Sequence, residues 1–282
     1  MIFTIAGKEL KSLFASPLQS HPRRGFMIFT IAGKELKSLF ASPLAWLVLA
    51  VTQLIMGYWF LRLVEEFVDR QAQFVHLPSP PGATELIGSQ LFATAAGLFL
   101  FAIPLLAMRL IAEERRNQTM VLLVSAPVSM TDIVLGKFFG VLGFLAVMIA
   151  LIALMPLSLA LGTRLDYGLL AGLVLGLVLL AACFAAVTLY FSCLTAHPML
   201  AALGGFAALL GTIMIGTVAE DGLRVRGVPV PAGMMRVLAP IKNFEPLSRG
   251  LIDSYAIACS LLLIVLFLAL AVRQLDAARW KG

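Results

Sequence analysis

Six long stretches of the chain contain no Asp, Glu, Lys or Arg, and polar segments separate them. They run from Ser38 to Leu61, Leu86 to Met108, Phe138 to Thr163, Tyr167 to Ala196, Pro198 to Ala219 and Ser254 to Val272. A helix needs roughly 20 apolar residues to cross the hydrocarbon core of a bilayer. The pattern therefore predicts an all-α integral membrane protein with six transmembrane helices, at about 44–62, 87–108, 138–161, 168–192, 198–219 and 254–272.

The composition supports this class and limits what else the chain contains. Apolar residues make up 61% of the 282 residues and charged residues only 13%, so six spans leave no room for a large soluble catalytic domain. The net charge is +6, but in a membrane protein Lys and Arg usually mark cytoplasmic loops rather than a nucleic-acid site. Thirteen of the 21 basic residues lie on the side of both termini, which favours a multi-pass inner (plasma) membrane protein with both termini in the cytoplasm.

The first 18 residues recur letter for letter at residues 27–44. A single perfect copy beginning with Met is typical of a recent duplication or a misplaced start, so we expect Met27 to be the functional start. Residues 1–26 are then an extension outside the core, and residues 27–282 form one six-span domain. From Met27 the basic residues divide nine against eight, and the orientation depends chiefly on the resemblance given below. In the second copy Phe29, Leu36 and Phe40 lie opposite charged residues, which predicts an amphipathic helix at the membrane surface.

Three glycines recur every four residues at the start of the fourth span. Gly168, Gly172 and Gly176 would let another helix approach the backbone closely. The spacing fits a dimer or moving interface, and it fits static helix packing within the chain.

The sequence lacks the residues that several kinds of transport and catalytic chemistry require. No ionisable Asp, Glu, Lys, Arg or His lies within the six stretches, which disfavours a proton-driven transporter. The Glu-Glu pair at 113–114 lacks the arginine of a Glu-Glu-x-x-x-Arg protease string, because Gln118 occupies that position. Neither Gly33-Lys34 nor Gly136-Lys137 has the spacing of a phosphate-binding loop. No metal-ligand cluster is apparent, and Cys183, Cys193 and Cys259 are interpreted as packing residues. The chain is therefore predicted not to be an enzyme, with no metal and no cofactor of its own.

The most informative polar segment is 109–137. It begins as a charged helix continuing the second span and breaks at Ser125-Ala126-Pro127. It restarts where Ser129 and Asp132 form a variant of the helix capping box. A short rigid helix held beside the membrane suits docking to a cytosolic partner, and an ordinary connecting loop is the alternative.

This segment resembles permease subunits of type-2 ABC exporters, specifically the six-span group of gliding-motility and nitrous-oxide-reductase-maturation permeases. The shared parts are Glu113, Glu114, Arg115, Arg116, Thr119, Leu122, Leu123, Ala126-Pro127-Val128-Ser129 and Val134-Leu135-Gly136-Lys137. Two further motifs are similar to that family. The elbow helix of the family looks like Lys34-Glu35-Leu36 with Ser42-Pro43-Leu44. The external segment of the family looks like Asn243-Phe244-Glu245 with Ser248-Arg249-Gly250-Leu251-Ile252-Asp253. The chain departs from the family at Gln118 and Val121, where Gly and Glu are usual.

The resemblance implies an N-terminal interfacial elbow helix, a cytoplasmic coupling helix that receives force from the ATPase, and an external segment that is a gate or substrate exit, or a structural cap. It implies a permease subunit of an ABC transporter that exports a substrate with ATP hydrolysed by a separate chain. The partners would be a cytosolic ABC ATPase carrying ATP and Mg, a second permease subunit in a homo- or heterodimer, and the lipid bilayer, without nucleic acid. The alternative is a membrane scaffold or assembly subunit of an ATPase-driven motility or cofactor-maturation machine.

Overall fold

The computed structural model describes residues 24–74, 82, 84–116, 129–162, 165–221, 224–225, 228–229 and 236–279, and nearly all of these are helical. The helices are α1 (Arg24–Ala41), α2 (Pro43–Phe74), α3 (Ser89–Ala107), α4 (Arg109–Arg116), α5 (Met130–Ser158), α6 (Tyr167–Leu194), α7 (Pro198–Asp221), α8 (Pro240–Ser248) and α9 (Ser254–Arg279). A π-helical turn at Thr84–Gly88 precedes α3, and a 3-10 turn at Leu159–Leu161 follows α5. Two short antiparallel strands, β1 (Arg224–Val225) and β2 (Val228–Pro229), pair Arg224 with Pro229 and Val225 with Val228.

Within the described part of the chain, six helical segments are long and apolar enough to cross a membrane. They are Pro43–Arg70, Thr84–Arg116, Met130–Ser158, Tyr167–Leu194, Pro198–Thr217 and Ser254–Ala277. The predicted all-α class and the six spans are therefore confirmed. An even number of spans puts the end of α9 on the same side of the membrane as α1, α4 and the start of α5. We call this side the amino-terminal surface and the other the opposite surface.

The first membrane helix extends well beyond its apolar stretch. α2 continues to Phe74, twelve residues past the predicted end at position 62. Ion pairs one helical turn apart accompany this extension, Arg62 with Glu65 at 2.8 Å and Arg70 with Glu66 at 2.6 Å. Such pairs stabilise an exposed helix, so hydropathy alone places the end of α2 too early.

The fourth span, α6, lies at the centre of the helix bundle. It packs against α3, α5, α7, α8 and α9. In its most apolar 18-residue stretch 72% of the residues are buried, compared with 17% in the corresponding stretch of α2. Its completely buried side chains include Leu173, Phe184 and Val187. The other spans are therefore arranged around α6, while α2 lies at the edge of the bundle.

The helix starts are set by local sequence signals. Pro43 is the first residue of α2, where the missing N–H of proline costs no helical hydrogen bond. The Ser129 Oγ accepts a hydrogen bond from the Asp132 N–H at 3.1 Å, which confirms the predicted cap of α5. The Asp166 carboxylate accepts from the N–H groups of Gly168 and Leu169 and begins α6.

Candidate functional site

A buried cluster of three charged side chains joins three helices at the amino-terminal surface. The Lys137 Nζ, on α5, donates hydrogen bonds to Glu35 Oε1 on α1 at 2.9 Å and to Glu114 Oε1 on α4 at 2.8 Å. The Lys137 side chain is only 2% exposed, and those of Glu35 and Glu114 are 12% and 18% exposed. Desolvated charges are tolerated only when opposite charges satisfy them. The cluster therefore fixes the position of α4 relative to α1 and α5.

A row of glycines on α5 lets α1 approach close enough to form this cluster. A Cβ added at Gly136 would lie 2.6 Å from the Ile31 side chain, and one added at Gly140 would lie 2.6 Å from the Cβ of Glu35. One turn further on, Gly143 faces the Leu36 side chain. The contacts follow the same order along both helices, so α1 and α5 run in the same direction. This approach brings the Glu35 carboxylate to Lys137.

The junction between α3 and α4 is held by a buried serine of the fourth span. The Ser192 Oγ accepts hydrogen bonds from the N–H groups of Ile111 at 3.2 Å and Ala112 at 3.1 Å, and donates one to the carbonyl of Met108 at 3.2 Å. The first N–H groups of a helix have no partner within it. Ser192 supplies that partner to α4 and ties the α3–α4 junction at Met108 to the central helix of the bundle.

The residues predicted for the coupling loop are only partly covered by the described residues. Glu114, Arg115 and Arg116 form the end of α4, and Ser129, Gly136 and Lys137 lie at the cap and in the first turns of α5. Glu113 lies in α4, but its side chain is outside the described residues. The described residues also do not include Thr119, Leu122, Leu123 and Pro127. The structure thus brings the two flanks of the predicted loop together through Glu114 and Lys137.

The predicted elbow residues lie on α1 and at the start of α2. Glu35 and Leu36 face α5, whereas Lys34 is exposed. Helix α1 begins at Arg24, three residues before Met27, which is the predicted functional start of the chain. After Ser42 the chain enters α2 at Pro43, and the Trp46 indole N–H donates to the carbonyl of Phe40 at 2.6 Å across this junction.

At the opposite surface, α8 packs into the glycine repeat of the fourth span. A Cβ at Gly172 would lie 3.2 Å from the carbonyl oxygen of Leu247, and one at Gly176 would lie 2.9 Å from the Phe244 ring. Gly168 instead adjoins Asp166, which caps α6. Two of the three glycines therefore accommodate a helix of the same chain.

The remaining residues predicted for this external segment end α8 and begin α9. Gly250 has φ +75°, and the bonds Gly250 N–H to Leu247 O and Leu251 N–H to Pro246 O close a Schellman motif. The Asp253 carboxylate then accepts from the N–H of Tyr255 at 2.9 Å. Arg249 and Glu245 are exposed and paired at 2.8 Å. The Glu245 and Arg249 side chains line an open cavity of about 790 Å³ together with Glu85 and Asp166.

Two features of the site were not found from the sequence. Gly140 and Gly143 follow Gly136 at helical spacing and could have been recognised by the pattern that singled out Gly168, Gly172 and Gly176. Ser192 carries no such signal, because a lone serine in an apolar helix usually bonds to its own backbone.

Six apolar spans and a buried ion-pair cluster at one membrane surface define a polytopic α-helical membrane protein whose surface helices are tied to its bundle. The sequence model of one family, described as ABC-2 family transporter protein, matches residues 29–278. The chain therefore belongs to the ABC-2 family of transporter membrane proteins and is a transmembrane permease. No curated protein matches the chain in sequence.

Proposed function

We propose that this protein is the permease subunit of an ATP-driven exporter whose ATP is hydrolysed by a separate cytosolic ABC ATPase. The ATPase would bind at residues 109–137, and ATP and Mg would reside on it rather than on this chain. Membership of the ABC-2 family supports the transporter class. One geometric observation carries the coupling role, which is the Glu114–Lys137–Glu35 cluster beside the predicted docking loop.

The cluster gives a route for force from the loop to the spans. α4 carries Glu114 and leads directly into the loop, so displacement of the loop acts on the bonds of Glu114 to Lys137. Lys137 belongs to the third span, and Ser192 links the other end of α4 to the fourth span. ATP shifts the permease between conformations only if it favours one of them, and a linked α4 provides that difference.

Several finer features belong to the same proposal. Both termini and the 109–137 loop lie in the cytoplasm, and two permease subunits, identical or related, pair in the inner membrane. The motifs that the chain shares with the gliding-motility and nitrous-oxide-reductase-maturation permeases support membership of that group. The long apolar stretches without ionisable groups suit a lipid, a peptide or a hydrophobic drug better than a small ion.

Co-purification with its chromosomal neighbours tests this function. We expect a stoichiometric ABC ATPase to remain bound in mild detergent. After reconstitution, its ATP hydrolysis should drive accumulation of a fluorescent phospholipid, a hydrophobic dye or a hydrophobic peptide in vesicles. The absence of a bound ATPase would overturn the proposal. A bound ATPase that moves none of the three probes but retains a third protein would assign the chain to an assembly or motility machine instead.

Two sets of variants separate docking from coupling. Replacing Arg115 and Arg116 with alanine removes surface charge from α4, and we expect weaker retention of the ATPase. Lys137→Met, combined with Glu35→Gln and Glu114→Gln to avoid unpaired charges, should retain the ATPase but lower the transport obtained per ATP hydrolysed. Arg273→Gln, an exposed arginine at the end of α9, is the matched control. If both sets of variants retained the ATPase and kept the transport per ATP hydrolysed unchanged, a docking site at residues 109–137 would be contradicted.

A further inference from the structure

A groove of about 400 Å³ opens at the amino-terminal surface between the α1–α2 junction and the α3–α4 junction. Its apolar wall includes Leu39, Leu44 and Leu106, and its polar wall includes Ser38, Ser42 and Arg109. The two kinds of side chain therefore share one open groove, with apolar and polar groups in reach of the same ligand.

The groove lies at the level where lipid headgroups meet acyl chains. Pro43 and Ala45, in the first turn of the first span, line it beside Leu106, near the end of α3 and of the charge-free stretch that ends at Met108. Trp46, adjacent to these residues, is 54% exposed, and tryptophan side chains concentrate at membrane interfaces. A ligand of this groove would have its polar part at the membrane surface and its apolar part along the spans.

The charge of the groove favours an anion. Arg109 is exposed, and it forms no ion pair with any of the side chains that the structure describes. Glu35 also lines the groove, but its carboxylate is paired with Lys137. The exposed Lys34 and Lys37 lie on the same helix as Ser38 and add positive charge at the rim. Basic residues close to a membrane surface attract anionic lipids.

We propose that this groove binds one anionic phospholipid. The phosphate accepts hydrogen bonds from the Arg109 guanidinium and from the hydroxyl groups of Ser38 and Ser42, while an acyl chain lies along Leu39, Leu44 and Leu106. The occupant contacts both the junction between α1 and α2 and the junction between α3 and α4. If the proposed coupling function also holds, the lipid would tune how α4 moves, but its binding does not depend on that function.

The test is native mass spectrometry of the full chain in mild detergent, titrated with phosphatidylglycerol or phosphatidylcholine of the same acyl chains. We expect one phosphatidylglycerol to bind about tenfold or more tightly than phosphatidylcholine. Arg109→Gln should weaken phosphatidylglycerol about tenfold or more, the effect of losing one charge-assisted hydrogen bond. Ser38→Ala with Ser42→Ala should weaken it less, and the control Arg273→Gln should leave it unchanged.

A second variant keeps the proposal testable if Arg109→Gln alters folding. Ala41 is exposed and lines the groove, so Ala41→Trp should fill the groove and displace the lipid while every charge is retained. Equal binding of both lipids, or unchanged binding in both Arg109→Gln and Ala41→Trp, would overturn the proposal.

Two further arms identify the occupant. Inorganic phosphate that binds alone and displaces the lipid at millimolar concentration would assign the groove to free anions. Lipid binding that occurs only after removal of residues 1–26 would assign it to the duplicated segment. Either result overturns a lipid site, whereas equal binding with and without residues 1–26 supports it.

Discussion

Among the three charged side chains of the cluster at the candidate site, that of Lys137 is the most deeply buried. Its Nζ bonds to two carboxylates from two other helices, and its side chain is 2% exposed. Removing one member of a buried ion pair is more harmful than replacing the whole set by neutral groups, because the partners remain desolvated and unpaired. The energetic role of the cluster can therefore be separated from simple side-chain packing.

Lys137→Met should lower the free energy of unfolding by about 3–5 kcal/mol, because the buried Glu35 and Glu114 carboxylates would lose the cation that they share. Adding Glu35→Gln and Glu114→Gln should recover a large part of this loss. Thermal unfolding in detergent, followed by tryptophan fluorescence, measures both. Lys34→Met, an exposed lysine on α1, is the control and should change little. A triple variant no more stable than Lys137→Met would show that the charges are not the cause.

Ser192 provides the other buried polar link of α4. Ser192→Ala leaves the N–H groups of Ile111 and Ala112 without their acceptor, at a cost of about 1–3 kcal/mol. We expect a lower melting temperature and faster amide hydrogen exchange across α4. The control is Thr212→Val, because the buried Thr212 hydroxyl donates to the carbonyl of Leu209 in its own helix. Equal effects of the two substitutions would argue against a special role for Ser192.

At the scale of elements, the pairing of α1 with α5 depends on small residues at the contact. Gly140→Ala places a methyl group against the Cβ of Glu35 at 2.6 Å and the carbonyl oxygen of Ala32 at 3.1 Å. Backbone cannot move aside cheaply, so we expect a loss of about 1–3 kcal/mol in unfolding free energy. Gly97→Ala in α3 meets nothing within 4 Å and should be neutral or stabilising. Thermal unfolding of both variants measures the difference. Similar changes in melting temperature for Gly140→Ala and Gly97→Ala would exclude close packing as the cause.

The elements were predictable from the sequence to the extent that their signals are local. The missing charges gave the six spans, and Ser129, Pro43 and Asp166 begin helices through contacts within a few residues. By contrast, Glu35 and Lys137 are 102 positions apart, and no periodicity connects them. In the external segment the shared motifs extend from Asn243 to Asp253, whereas the helix itself has other bounds. α8 begins at Pro240 and ends at Ser248, because Gly250 adopts a left-handed conformation that closes it.

At the scale of the whole molecule, six spans fix which loops share a side of the membrane. Single cysteines placed at Lys37, Arg116 and Arg273 should react together with a membrane-impermeant maleimide, and cysteines at Glu66, Asp166 and Glu245 should form the opposite group. The native cysteines are buried, which keeps the background low. In intact cells we expect the first group to be protected and the second to be labelled. A mixed pattern would contradict six spans, and the reverse pattern would place the termini outside.

The central position of the fourth span has a consequence for how the protein is made. The ribosome delivers α2, α3 and α5 to the membrane before α6, the helix around which the bundle is arranged, has been synthesised. Membrane helices insert first and associate afterwards. Until α6 arrives, the inner faces of the earlier helices are open to lipid or to insertion chaperones. Nascent chains arrested before residue 194 should therefore be degraded rapidly, whereas chains arrested after it should already persist.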